Sequence, residues 1–278
     1  MNINPQTVFI TGCSSGIGYA TAISLKNRGH RVICSVRKAE DAAVLIDKGF
    51  ECLRLDLADS DSIQQAVQKL TEMTGGKVDA LFNNGAFGQP GAVEDLSRDA
   101  LRNQFETNFF GTHELTNLLI PLMRKQGHGR IIYNSSVLGF VAMKFRGAYN
   151  SSKFALEGLA DTLRLELRGS GIRIVLIEPG PIESRFRQNA FAMYQHFIDP
   201  NLSVHRQTYK AMEARLQKTG PAAPFTLPAT AVAEKVIHAL ESKRPKSRYA
   251  VTVPTHLFAW LKRLLPTSWL DRILVSVE

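Results

Sequence analysis

Two residue types at one spacing give the first chemical signal. Tyr149 and Lys153 stand four residues apart, so within a helix they share a face. A free tyrosine titrates near pH ~10. A neighbouring ammonium favours the phenolate, so Lys153 is expected to lower that value and make Tyr149 a working acid–base near neutrality. Ser136, at the end of an expected strand, is placed to hydrogen-bond the same substrate oxygen. A Tyr-x-x-x-Lys pair alone is usually structural, so it counts only together with further signals.

The second signal is Thr11-Gly12-Cys13-Ser14-Ser15-Gly16-Ile17-Gly18. Glycines let the backbone approach a pyrophosphate without a Cβ clash. A helix opening at Gly16 turns free N–H groups and its dipole toward phosphates. The spacing is GxxxGxG and not GxGxxG, and a plain tight turn is the competing reading. The third signal is Ser35-Val36-Arg37-Lys38 at the end of the second expected strand, with no acid before Glu40. An acid there binds the ribose hydroxyls of NAD, whereas Arg favours the 2′-phosphate of NADP. Arg37, assisted by Lys38, therefore points to NADP(H); two solvated basic side chains are the alternative. Asp56, followed by Leu57, either accepts from the adenine amino group or caps a turn.

The elements that must position these residues alternate regularly. Strands are expected at 7–10, 31–36, 52–55, 78–82, 130–134, 172–177 and 249–253. Helices are expected at 16–28, 39–48, from a cap at Ser60 or Asp61 to about Met73, at 98–125, 149–168 and 230–242. This β-α alternation predicts an α/β fold: a Rossmann-type doubly wound parallel sheet in three α/β/α layers. Ligands in such sheets bind at the carboxyl ends of the strands, and every signal above follows a strand. One domain is expected over 1–278. Residues 181–228 break the rhythm with Phe186, Phe191, Met193, Tyr194, Phe197 and Tyr209, and read as a helical insertion over that edge, either a substrate lid or plain core. Phe140, Val141, Met143 and Phe145 supply a possible opposite wall, with Lys144 and Arg146 facing solvent or an anionic group.

The chain has 278 residues, 44% of them hydrophobic and 21% charged, a globular composition. Cys13, Cys34 and Cys52 form no CxxC or zinc pattern, so reduced thiols, no metal and a cytoplasmic location are expected. No stretch reaches the roughly 20 apolar residues of a membrane span. Residues 1–184 hold 20 Lys/Arg against 19 Asp/Glu, and residues 185–278 hold 14 against 6. That basic third carries no nucleic-acid motif. Its last part, 255–278, is amphipathic, with Pro266 dividing two short helices. Residues 255–275 pack on the core or a partner subunit, cover a cleft, or make weak peripheral contact with a membrane.

The ordered set Thr11-Gly12-x-x-x-Gly16-x-Gly18, Asn83-Asn84, Asn108, Ser136 and Tyr149-Asn150-Ser151-Ser152-Lys153 resembles the short-chain dehydrogenase/reductase superfamily over about residues 5–185, and more loosely to 253. The resemblance implies Asn108, Ser136, Tyr149 and Lys153 as a catalytic tetrad. It also implies that Lys153 holds the nicotinamide ribose and that Asn108 supports a water in a proton relay. Ser136 rather than Ser135 is chosen because its thirteen-residue spacing to Tyr149 matches the family. Pro179 and Gly180 match the nicotinamide-facing loop, with Ile182 and Ser184 at the carboxamide. Asn84 and Gly85 line the same cofactor. Three departures stand out: Asn83-Asn84-Gly85-Ala86 exchanges the usual last two residues, Ser184 stands for Thr, and Asn150 follows the tyrosine. Gly12-Cys13-Ser14-Ser15-Gly16 and Ser152-Lys153-Phe154-Ala155-Leu156-Glu157-Gly158 resemble the 17β-hydroxysteroid and retinol dehydrogenase branch and its bacterial relatives, the NADP-dependent aldehyde reductases.

The expected function is hydride transfer between NADP(H) and a hydrophobic carbonyl or alcohol, with reduction favoured. The family is usually dimeric or tetrameric. The alternative is a nucleotide-binding redox sensor or regulator without turnover; all four tetrad residues are nonetheless present.

Overall fold

A computed structural model describes residues 4–221 and 223–276. Seven parallel strands form one sheet: β1 (Thr7–Ile10), β2 (Arg31–Val36), β3 (Glu51–Arg54), β4 (Ala80–Asn83), β5 (Gly129–Asn134), β6 (Ile172–Glu178) and β7 (Arg248–Ala250). The spatial order is β3-β2-β1-β4-β5-β6-β7. Strand order reverses between β1 and β4, the switch point where Rossmann-type sheets open a crevice. Helices cover both faces, so central strands read as unbroken apolar runs: Val8, Phe9 and Ile10 are wholly buried.

One face packs against α1 (Gly16–Asn27), α2 (Ala39–Asp47) and α9 (Thr230–Glu241), through Ala22, Leu25, Leu45, Val232 and Val236. The other packs against α3 (Ser60–Thr74), α5 (Gly111–Gln126) and α6 (Gly147–Glu166), through Ile63, Leu70, Leu115, Leu119, Leu156 and Ala160. The segment 181–228 contains α7 (Phe186–Phe197) and α8 (Arg206–Gln217). Their Ala190, Tyr194, Tyr209, Met212 and Leu216 form a separate apolar cluster with Ala92, Leu96, Ala100 and Ala148. Tyr209 anchors it: its hydroxyl accepts from the Ala92 N–H at 2.9 Å and donates to Asp95 at 2.5 Å.

The strands and helices differ from expectation at a few places, each with a local cause. The α3 cap is Asp59, not Ser60 or Asp61; its carboxylate accepts from the backbone N–H groups of Asp61 and Ser62. Val78 stands outside β4 because the Gln126 side chain takes both its N–H and its carbonyl, at 2.7 and 3.0 Å. The single helix expected at 98–125 is three pieces: α4 (Arg98–Phe105), a π turn over Glu106–Phe110, and α5. The last strand ends at Ala250, not Val253, because α10 (Val253–Leu264) begins there. Pro254 sits in its first turn, where no N–H is needed and φ is already helical. After Pro266 comes α11 (Thr267–Ser276). Residues 277 and 278 of the amphipathic segment lie outside the described residues.

Candidate active site

Tyr149 and Lys153 occupy the first two turns of α6, and both are buried. Lys153 Nζ donates to the Asn134 carbonyl at the end of β5, at 2.7 Å. It lies 5.7 Å from the centre of the Tyr149 ring. Ser136, two residues past β5, has its hydroxyl beside that of Tyr149. Its oxygen also accepts from the Leu138 N–H at 3.1 Å, which fixes the turn that carries it. Asn108 is buried on the π turn. Its amide accepts from the Phe87 N–H and donates to the Phe87 carbonyl, at 3.1 and 2.9 Å, and reaches Ser152 Oγ on α6 at 3.2 Å. The extra residue of a π turn aims this side chain inward, and such turns gather at functional sites.

The electrostatics reverse one expectation. Burial pushes the Tyr149 phenol up to about 12, with the Ser136 hydroxyl opposing. Burial also pulls Lys153 down to about 8, with the Glu157 carboxylate opposing. Lys153 therefore does not bring Tyr149 toward neutrality here. Removing a phenolate from water outweighs the pull of an ammonium whose own charge is disfavoured by the same burial. At neutral pH Tyr149 keeps its proton, and Lys153 is mostly charged.

Beneath these groups lies a cluster that sequence reasoning missed. Arg248 on β7 donates to Glu157, to Glu178 at 2.5 Å and to Asp161 at 2.6 Å. Burial pushes Glu157 up to about 7 and raises Glu178; neighbouring carboxylates add to this, and the Arg248 guanidinium opposes it. Asp161 is more exposed, and its bonds to Arg164 and Arg248 keep it low. Ser135 lies beside Glu157 while Ser136 lies beside Tyr149, so the two adjacent hydroxyls serve different neighbours. The available signal was spacing: Glu157 follows Lys153 by four residues, as Lys153 follows Tyr149. Phe186 was expected only as one aromatic of the insertion. It opens α7, its ring meets that of Tyr149 edge-on at 5.2 Å between centroids, and it packs against Gly88.

The segments expected to hold a dinucleotide converge at the same edge. Gly12 has φ +71°, and a Cβ there would lie 2.8 Å from the Gly85 Cα; at Gly18 it would run into the Gly12 carbonyl. Asn84 ties the turns together, donating to the carbonyls of Thr11 and Gly12 at 2.8 and 3.1 Å. The Thr11 hydroxyl accepts from the N–H groups of Asn84 and Gly85, at 2.9 and 2.8 Å. The turn thus survives the Gly85-Ala86 exchange, and Gly85 serves close approach: a Cβ would meet Leu57 Cδ1 at 3.0 Å.

Ser14 and Ser15 precede α1. Ser15 makes no side-chain bond to cap it, so the first-turn N–H groups at Gly16, Ile17 and Gly18 are left without a side-chain cap. Ser184 stands against Gly16, joining the loop after β6 to the turn after β1. In that loop the Pro179 carbonyl accepts from the Val137 N–H at 2.8 Å, Gly180 is pressed against Thr252, and Ile182 bridges to Leu227. Arg37 and Lys38 are exposed past the end of β2, and no ion pair engages them among the described residues. Asp56 uses one carboxylate oxygen on the Ala58 N–H at 3.0 Å, so it does cap its turn. An uncapped helix start and a turn with no room for side chains fit the pyrophosphate of a dinucleotide, and Arg37 and Lys38 stand where NAD-binding folds carry an acid.

The chain matches the family model for short chain dehydrogenases over residues 6–195. It is 42% identical to an uncharacterized oxidoreductase, YbbO, of Escherichia coli (strain K12), over 269 residues covering 97% of this chain and 94% of the other. It is 34% identical to an NADPH-dependent 3-dehydrocapnine reductase of Ornithobacterium rhinotracheale, covering 95% and 94%. It is 32% identical to retinol dehydrogenase 8 of Bos taurus, covering 88% and 80%.

Proposed function

The chain belongs to the short-chain dehydrogenase/reductase family of oxidoreductases, and on that premise we propose that it reduces hydrophobic aldehydes or ketones with NADPH, Tyr149 donating the proton. The observation that carries this reading is Tyr149 itself, buried with the Ser136 hydroxyl and the Lys153 side chain beside it at the edge where the glycine turn opens.

NADPH, when bound, would supply the hydride that the carbonyl carbon receives. The chain's own groups do the rest. Ser136 holds the carbonyl oxygen, and Tyr149 gives it a proton as negative charge develops. Lys153 stabilises the phenolate left behind. Asn108 ties the π turn to α6 and supports proton return. Alcohol oxidation is the same path reversed. Gly12, Ser14, Ser15, Gly16, Ile17 and Gly18 would hold the pyrophosphate, and Arg37 with Lys38 the 2′-phosphate. Asp56, Leu57, Asn84 and Gly85 would line the adenosine side, and Pro179, Gly180, Ile182 and Ser184 the nicotinamide end. NADPH in the name of one full-length relative supports this cofactor.

The aromatic cluster of 181–228 serves as the substrate lid, with Phe186 against Tyr149. Retinol dehydrogenase among the relatives supports an apolar substrate of steroid, retinoid or long-chain kind. The chain acts as one domain in the cytoplasm, where three free thiols persist. It works as a homodimer or tetramer, for which exposed Phe110, Leu118 and Leu165 near and along α5 and α6 offer apolar surface.

Mixing the protein with NADPH and a panel of hydrophobic aldehydes and ketones tests the reading through loss of reduced-cofactor absorbance. Tyr149→Phe is expected to remove turnover by about a thousandfold or more while leaving NADPH binding intact. Retained turnover in that variant overturns the mechanism. Tight NADPH binding with no turnover on any carbonyl favours a redox sensor instead.

A further inference from the structure

Hydride transfer leaves one surface without a role. In α10, Val253, Leu257, Trp260 and Leu264 are 58, 49, 62 and 58% exposed. Their spacing places all four within about 60° of arc on one side of the helix. Isolated apolar residues are common on surfaces; a row of four large ones marks an interaction face. The opposite side is anchored. Thr255 is fully buried beside Gly180, and Lys262 donates to the Phe140 carbonyl, with its ammonium 5.1 Å from the Phe154 ring centre. Trp269 and Val275 of α11 are 60 and 59% exposed.

We propose that this face of α10, together with Trp269, docks on the surface of an anionic lipid bilayer, the helices lying in the interface and not crossing it. Charge favours that occupant. His256 and Arg263 are exposed and flank the apolar row on one side, and α10 contains no Asp or Glu. Residues 253–276 hold Lys262, Arg263 and Arg272 against the single acid Asp271. An antiparallel two-fold contact between copies would set this basic flank against itself. The chain's two tryptophans both lie here, and indole favours the boundary between headgroup and acyl chain. The 12 residues of α10 span about 18 Å, and no described helix is long and apolar enough to cross a membrane. Because the inner side of α10 is fixed to Gly180 and Phe140, docking brings the active-site edge to the phase where apolar carbonyls dissolve. That last consequence rests on the proposed function; the docking itself does not.

Both tryptophans report directly on this face. The full chain is titrated with vesicles of phosphatidylglycerol and phosphatidylcholine, some bearing brominated acyl chains, and pelleted in parallel. The expected result is a blue-shifted emission, quenching by bromine and co-sedimentation that weakens with salt and on vesicles of phosphatidylcholine alone. R263Q and R272Q are each expected to weaken binding about fivefold, and W260S with L257S about tenfold or more, with unchanged NADPH affinity showing that the fold is intact. Absence of quenching and co-sedimentation overturns the proposal. So does a spectral shift that appears without vesicles as protein concentration rises, with a Trp260-dependent dimer in sedimentation; a second copy then covers the face. No substrate enters these measurements, so failure of turnover and failure of docking are read separately.

Discussion

Lys153 stands between two opposed demands. Burial pulls its ammonium down to about 8, and Glu157, one turn further along α6, holds it up. Under the proposed mechanism reduction needs that ammonium, so the rate is expected to be level below pH about 8 and to fall above it. Glu157 is faced by Asp161 on its own helix, Glu178 on β6, Arg248 on β7 and the field of Arg263 on α10 acting through Glu178. Glu157→Gln removes the negative charge nearest Lys153, so the falling limb should move to lower pH, costing about fivefold in rate near its midpoint. A pH–rate profile identical to that of the unaltered protein would sink this role, and Glu157→Asp should restore most of the limb. Arg37 makes an independent claim. Arg37→Asp is expected to weaken NADP(H) binding by about tenfold or more while NAD(H) holds or gains; equal losses for both cofactors would remove the phosphate argument. The residue types of this site were legible because the Tyr149–Lys153 spacing, Ser136 and a glycine turn after the first strand occur together in one order, where no one of them would suffice. The direction of the tyrosine's titration was not, since it depends on how much water α6 and Phe186 exclude, which no local pattern states.

Element by element, the β-α alternation carried most of the fold, because strands buried on both faces and helices buried on one leave different apolar periods. What escaped was set by partners distant in the chain. Nothing local in Glu106–Phe110 announces a π turn; Asn108 turns inward to meet Phe87 and Ser152. The strand expected through Val253 stops early because Pro254 starts a helix. Among the polar ties of the lid helices, that of Tyr209 lies wholly buried in the apolar cluster. Tyr209→Phe leaves the Ala92 N–H without its partner and deprives the Asp95 carboxylate of a donor, at a cost of about 1–3 kcal/mol. That cost should appear as faster hydrogen exchange across Arg206–Gln217, with the sheet unchanged. Exchange in α8 as slow as in the unaltered chain would show that the apolar contacts alone hold the lid.

Across the whole molecule, the family match ends at residue 195, while most of the excess positive charge lies in residues 185–278. The matched segment thus sits mostly in a nearly neutral body, and the basic, apolar-faced end lies beyond it. The sheet order has a further consequence, for the chain as it is made. β1 emerges before its sheet neighbours, lies third of seven in the finished sheet and is wholly buried from Val8 to Ile10. One of its edges pairs early with β2, but its other partner is β4, whose paired residues begin at Ala80. During synthesis some seventy residues therefore emerge while an apolar, unpaired strand edge stays open, the kind of edge on which nascent chains stick to one another. Fragments ending before β4 should be the insoluble ones.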